Sequence, residues 1–127
     1  IHGEEICNLR THLDLSRKQI KLIPLEIINL LNLKMLYLNN NIITIIPKQI
    51  DNLLNLEKLY LNDNKITILP IEIGNLLNLK ILNLGYNQIK TCNIFEKLTN
   101  LNVLYLSGNR IEIIPTEIGN LLNLKEL

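Results

Sequence analysis

The chain has 127 residues, 47% of them hydrophobic, which suits one domain with a sizeable core. Its 13 basic and 12 acidic residues leave a formal net charge of +1, too little to make nucleic acid or an anionic membrane surface the expected partner. Uninterrupted apolar runs are only a few residues long, far short of a membrane span.

In chain order, residues 1–12 (IHGEEICNLRTH) are read as a lead-in, a short cap with Ile6 and Leu9 packing under the first repeat. From Leu13 the chain repeats itself. Units at 13–35, 36–58, 59–81, 82–103 and 104–126 agree at nearly every apolar position, and Leu127 begins a sixth. The fourth unit has 22 residues and the other four have 23.

Each unit opens with apolar residues two apart, such as Leu36 and Leu38 or Leu59 and Leu61, the period of a short strand with one buried face. An asparagine comes next, at Asn41, Asn64, Asn87 and Asn109, with Lys18 standing there in the first unit. A polar residue recurring between buried apolar ones must satisfy its hydrogen bonds internally, so these asparagines are expected to form a ladder on backbone groups of neighbouring turns. Apolar residues then recur three apart (Ile50, Leu53, Leu56), the spacing of a 3₁₀ or short helical turn. Pro24, Pro47, Pro70 and Pro115 sit just before that turn, where a fixed φ and a missing N–H do least harm. The glycines at 3, 74, 85, 108 and 119 fall at turn positions, where they are expected to relieve φ.

One unit cannot bury its apolar side alone, whereas stacked units can. The expected fold is therefore an α/β solenoid: a right-handed coil with a parallel β-sheet on the concave face, short 3₁₀ or helical turns on the convex face, and gentle curvature. The two-residue alternation in every unit excludes the alternative of an amphipathic helical array.

The pattern LxxLxLxxNxIxxIPxxIxxLxxL resembles the leucine-rich-repeat superfamily over roughly residues 10–127. The stretch Ile114–Leu124, with its IP-x-EI-GNL-x-NL wording, is similar to the 23-residue type common in spirochaete repeat proteins and Ras-pathway scaffolds. The fourth unit lacks the Ile-Pro pair and resembles the 22-residue class of a phosphatase regulatory subunit. This resemblance implies a protein-binding module and leaves the partner unnamed, since one fold hosts many ligands.

Constellations that would carry chemistry are sparse. Cys92 falls on a core position and is read as a buried thiol, while Cys7 lies more than three units away along the stack, beyond disulfide reach. No C-x-x-C is present. His2 and His12 flank Glu4 and Glu5, a weak metal cluster at most, and a solvated cap is the preferred reading. No Ser–His–Asp set, paired-carboxylate cleft or glycine-rich phosphate loop stands out, so no catalytic, cofactor or metal residue is assigned.

The sheet face is the candidate site. The resemblance places the residue between the two strand leucines on the concave surface: Asp14, Tyr37, Tyr60, Asn83 and Tyr105. His12, Met35, Lys58, Ile81, Val103 and Glu126 flank them on one side. On the other side stand Ser16, Asn39, Asn62, Gly85 and Ser107, then Arg17, Asn40, Asp63, Tyr86 and Gly108. Three of the four tyrosines share one repeat position, with Tyr86 close by. Tyrosine offers contact area and a hydrogen bond for little lost entropy, which suits recognition. The bland alternative is that aromatics fit an exposed sheet face and are copied when repeats duplicate.

Two apolar ladders, Leu22, Ile45, Ile68 and Ile113, and Leu31, Leu54, Leu77 and Leu122, fall where polar residues often stand. Either drift toward Ile and Leu codons or an oligomer interface accounts for them. Ala and Trp are absent and Val occurs once, at Val103, a bias expected of an AT-rich source genome. Ending on a strand position, the chain is expected to be part of a longer array, or to present an open edge to another molecule. Three functions are weighed: a scaffold, adaptor or host-directed protein-binding module, a self-associating structural or surface protein, and a targeting segment of a larger enzyme. With no cysteine-rich cap and no Asn-x-Ser/Thr acceptor, an intracellular setting, host cytosol included, is expected ahead of bacterial secretion.

Overall fold

The computed structural model describes residues 10–91 and 97–112. Within them the chain runs β1 (His12–Asp14), α1 (Leu25–Ile28), β2 (Met35–Tyr37), a 3₁₀ turn (Lys48–Asn52), β3 (Lys58–Tyr60), a second 3₁₀ turn (Ile71–Asn75), β4 (Ile81–Asn83) and β5 (Val103–Tyr105). The strands form one parallel sheet in sequence order, β1-β2-β3-β4-β5. Leu13, Leu36, Leu59, Leu82 and Leu104 are register partners in turn. This is the architecture of a leucine-rich-repeat α/β solenoid, as the repeat pattern predicts.

The shorter unit does not disturb that register. Leu82 and Leu104 are 22 residues apart, as are Asn87 and Asn109, and both pairs keep their partners. The absent residue falls between Ile89 and Leu98, on the side that connects strands rather than in the sheet.

The core is a stack of identical layers. Leu36, Leu38, Ile43, Ile50, Leu53 and Leu56 of the second unit are fully buried, and Leu59, Leu61, Ile66, Ile73, Leu76 and Leu79 repeat them in the third. Each such side chain contributes about 1.5–3 kcal/mol by leaving water. In the first unit Leu13, Leu15 and Ile20 are partly buried and pack against this core.

Pro24, Pro47 and Pro70 each hold extended backbone immediately before a helical turn, with φ between −62° and −71°. The ring supplies a φ compatible with both the incoming strand-like segment and the turn. Pro115, Ile113, Leu122, Glu126, Cys92 and Cys7 lie outside the described residues, as do His2, Glu4 and Glu5.

The expected asparagine ladder is present. Asn41, Asn64 and Asn87 are buried, and the Nδ2 of Asn64 donates to the carbonyls of Leu38 and Leu61 at 3.0 and 3.1 Å while its Oδ1 accepts from the Ile43 N–H at 3.0 Å. Asn41 serves the first unit in the same way, accepting from the backbone N–H groups of Lys18 and Ile20. Asn87 and Asn109 accept from Ile66 and Ile89. Each amide thus ties two consecutive turns and leaves no buried side-chain polar atom unpartnered among the described residues.

A second ladder runs along the approach to the strands. Asn55, Asn78 and Asn100 donate to the carbonyls of Leu31, Leu54 and Leu77, one unit back, at 2.9–3.0 Å. These side chains are exposed, and the repeat pattern alone assigns them no role.

The glycine expectation is corrected. Among the described glycines only Gly108 has a positive φ, and neither Gly74 nor Gly85 does. The repeated left-handed position is instead Arg17, Asn40, Asp63, Tyr86 and Gly108, at φ 55–72°. A side chain is tolerated there because each residue's N–H is secured: Asn40, Asp63 and Tyr86 donate to the carbonyls of Asn62, Gly85 and Ser107 at 2.8–3.0 Å. Gly74 is buried inside the turn Ile71–Asn75, at the place that Asp51 and Ile28 take in the two preceding units.

Candidate functional site: the outer face of the sheet

Strands of three residues present two outward side chains each, before and after the buried leucine. In-register parallel pairing therefore builds two rows. One is His12, Met35, Lys58, Ile81 and Val103; the other is Asp14, Tyr37, Tyr60, Asn83 and Tyr105. All sequence-assigned residues of the sheet fall in these rows, and from Met35 onward they are half-buried rather than fully solvated.

The second row has a pattern within it. The rings of Tyr37 and Tyr60 stack with centroids 4.7 Å apart and planes 4° from parallel. Burial raises the Tyr60 hydroxyl above its ordinary value of 10.0, with the neighbouring Tyr37 and Tyr105 adding to the rise. At the two positions without tyrosine the side chain turns back on the chain. Asp14 accepts from the Ser16 hydroxyl at 2.6 Å and from its N–H at 2.9 Å, which holds its carboxyl below the usual range. Asn83 accepts from the Gly85 N–H at 3.0 Å in the same manner. The face accordingly alternates between aromatic area offered outward and short polar groups already engaged.

Tyr86 lies at the edge of the face, on the left-handed turn, and is 63% exposed. Its ring lies over Gly108, where an added Cβ would come within 2.4 Å of Cδ1. Between Tyr86 and Tyr105 is a recess of about 150 Å³, completed by Asn62, Asp63, Asn83, Gly85 and Ser107. Sequence placed Tyr86 near the row but gave no signal of this recess, because it depends on two glycines lacking side chains.

A wider polar groove of about 520 Å³ runs beside the second asparagine ladder, lined by Lys34, Asn55, Glu57, Asn78, Lys80, Asn100 and Asn102. Lys80 and Glu57 pair across adjacent units at 3.3 Å. The apolar ladders are exposed: Leu22, Ile45 and Ile68 at 62–71%, Leu31, Leu54 and Leu77 at 56–58%, and Leu25 and Ile71 are exposed as well. No helix among the described residues is long and apolar enough to cross a membrane.

Comparison with known proteins places the repeat. Models described as leucine rich repeat match residues 55–111 and 32–53. A solved leucine-rich-repeat protein of Leptospira interrogans is 32% identical with a TM-score of 0.75, over 95% of this chain and 38% of that one. Internalin C2 of Listeria monocytogenes is 30% identical with a TM-score of 0.85, over 93% of this chain and 50% of that one. The chain thus spans half or less of the length of either. No curated protein matches.

Proposed function

We propose that this chain, which belongs to the leucine-rich-repeat superfamily, is a non-catalytic protein-binding module that takes its partner on the concave sheet face. Leucine-rich-repeat proteins generally mediate protein–protein contact, so the coarse role follows from the family. The observation that carries the finer reading is the tyrosine row: Tyr37 and Tyr60 stacked ring on ring, with Tyr105 two strands on. Stacking pre-orders both rings, so a partner settling on them has less side-chain freedom to remove. Half-buried Met35, Ile81 and Val103 alongside give an apolar strip next to the aromatic one.

The test is a pull-down from lysate of the source cell or its host. Wild type is compared with a Tyr37→Ala, Tyr60→Ala, Tyr105→Ala variant after circular dichroism shows both folded. A protein retained by wild type and lost by the variant supports the face; equal recovery by both overturns it.

A second reading, self-association, rests on a separate observation. Leu22 and Ile45 pair across neighbouring units, Ile68 holds the same repeat position in the next, and each is more than six-tenths exposed. Contiguous exposed apolar area of this kind marks contact surfaces. Sedimentation over a range of concentrations decides it, a strict monomer throughout removing the idea.

A further inference from the structure

The fourth and fifth units break the repeat at two adjacent turn positions, and the break opens a notch. Where the second and third units carry Asn39 and Asn62, the fourth has Gly85, and the floor beside its Cα is bounded by the Asn83 Oδ1 and the Ser107 hydroxyl, 3.3 and 3.8 Å from where a Cβ would stand. At the next position Tyr86 replaces Asn40 and Asp63, and its ring lies over Gly108, where any Cβ would strike it. One wall is therefore Tyr86, the other Tyr105, and the only charged group among the lining residues is the carboxylate of Asp63. Asn62 donates Nδ2 to Asp63 Oδ2 at 2.7 Å, which leaves its own amide oxygen as a further acceptor.

The chemistry of that lining selects its occupant. Aromatic faces attract cations. A carboxylate binds a cationic donor through short charge-assisted hydrogen bonds. An apolar side chain would cover Asp63 without replacing its water, and an anion would be repelled by it. A planar guanidinium satisfies both the rings and the carboxylate, where a compact ammonium matches only the charge. About 150 Å³ admits the end of one side chain.

We infer that the notch between Tyr86 and Tyr105 receives an arginine side chain of the protein partner, with Asp63 as its counter-charge. The inference deepens the reading of the sheet face as the binding surface and rests on it.

The experiment is a nitrogen–proton NMR titration of the intact chain with N-acetyl-arginine methylamide, and in parallel with the neutral isostere N-acetyl-citrulline methylamide. Arginine is expected to shift the amide signals of Gly85, Ser107 and Gly108, and citrulline to leave them in place. Asp63→Asn is expected to weaken the response about tenfold, the worth of one charge-assisted bond. The backbone accepts this variant, since Asn40 holds the same position at φ 57° against 59° for Asp63. Tyr86→Asn, on the same ground, is expected to abolish the response. Equal shifts from arginine and citrulline, or a response unchanged in Asp63→Asn, would overturn the inference. A failed titration alongside a partner lost in the tyrosine variant leaves the sheet face standing and removes only the notch. A successful titration alongside equal recovery in the pull-down, whose variant lacks Tyr105, would show an arginine site that the captured protein does not use, and would overturn the inference together with the tyrosine row.

Discussion

Tyr37 and Tyr60 are 23 residues apart in sequence, yet their rings lie 4.7 Å centroid to centroid and within 4° of parallel. The distance matches the spacing of neighbouring strands, so the stack is set by the backbone ladder beneath it. Such a pair adds about 0.5–1.5 kcal/mol beyond the area it covers.

The pair makes stability depend on alkaline pH. Burial, then Tyr37 and Tyr105, raise the Tyr60 hydroxyl above 10.0, so the unfolded chain loses this proton first. The contribution is complete below pH 10 and disappears as pH climbs through the folded value. The urea midpoint is therefore expected to fall more steeply across that window in wild type than in Tyr60→Phe. Parallel curves for the two proteins would refute the assignment.

At the other end of the row the sign reverses. The Ser16 hydroxyl, then its N–H, hold the Asp14 carboxyl below 3.8. Ser16→Ala removes the larger of the two and is expected to bring the Asp14 titration, followed by carbon NMR of its carboxyl, back up toward 3.8. Because Asp14 is fully exposed, thermal stability should hardly change.

What could be read from the chain divides along physical lines. The strand register and the buried asparagines were legible because burial demands the same residue type in every unit, as at Leu36, Leu59 and Leu82 or Asn41, Asn64 and Asn87. The outward rows followed from the same period. The left-handed turn was not legible, because Arg17, Asn40, Asp63 and Tyr86 share no chemistry; their conformation comes from the carbonyl each N–H meets. Nor could spacing show that Asn83 would fold back while Tyr60 stacked. The second asparagine ladder left a visible trace, since Asn55, Asn78 and Asn100 recur in phase, but exposed asparagines resemble ordinary solvated ones.

The two ladders should differ in strength. Asn64→Ala strands the Ile43 N–H in the core, while the carbonyls of Leu38 and Leu61 keep their second donors, Asn41 and Asn87, so the cost is about 2 kcal/mol. Asn78→Ala frees only an exposed carbonyl, that of Leu54, and should cost less than about 1 kcal/mol because water takes its place. Urea unfolding of both variants measures the contrast, and equal losses would show that the inner ladder is not specially placed.

The apolar line on the flank makes the opposite prediction, a change of charge with little change of stability. Ile45→Lys and Ile68→Lys replace side chains 62% and 71% exposed, so each should alter folding by no more than about 0.5 kcal/mol. If the line mediates self-association, sedimentation of the double variant will show a lighter species than wild type at the same concentration. Identical sedimentation of the two would take the line out of any such contact.

Gly108 carries two separable constraints, and a double-mutant cycle can divide them. Its φ of +72° makes any side chain strained, and the Cβ of alanine would also stand 2.4 Å from the Tyr86 ring. Gly108→Ala is expected to cost about 1–2 kcal/mol for the backbone alone, with the displaced ring adding to it. In a Tyr86→Asn background the clash is gone and only the backbone part should remain, giving a coupling between the two sites. Gly108→Asn in that background restores what Asn40 shows the turn accepts at φ 57°, and should come closer to neutral than alanine does. A Gly108→Ala loss of the same size with and without the Tyr86 ring would mean that the ring moves aside freely, and the wall of the notch would then be adaptable rather than pre-set.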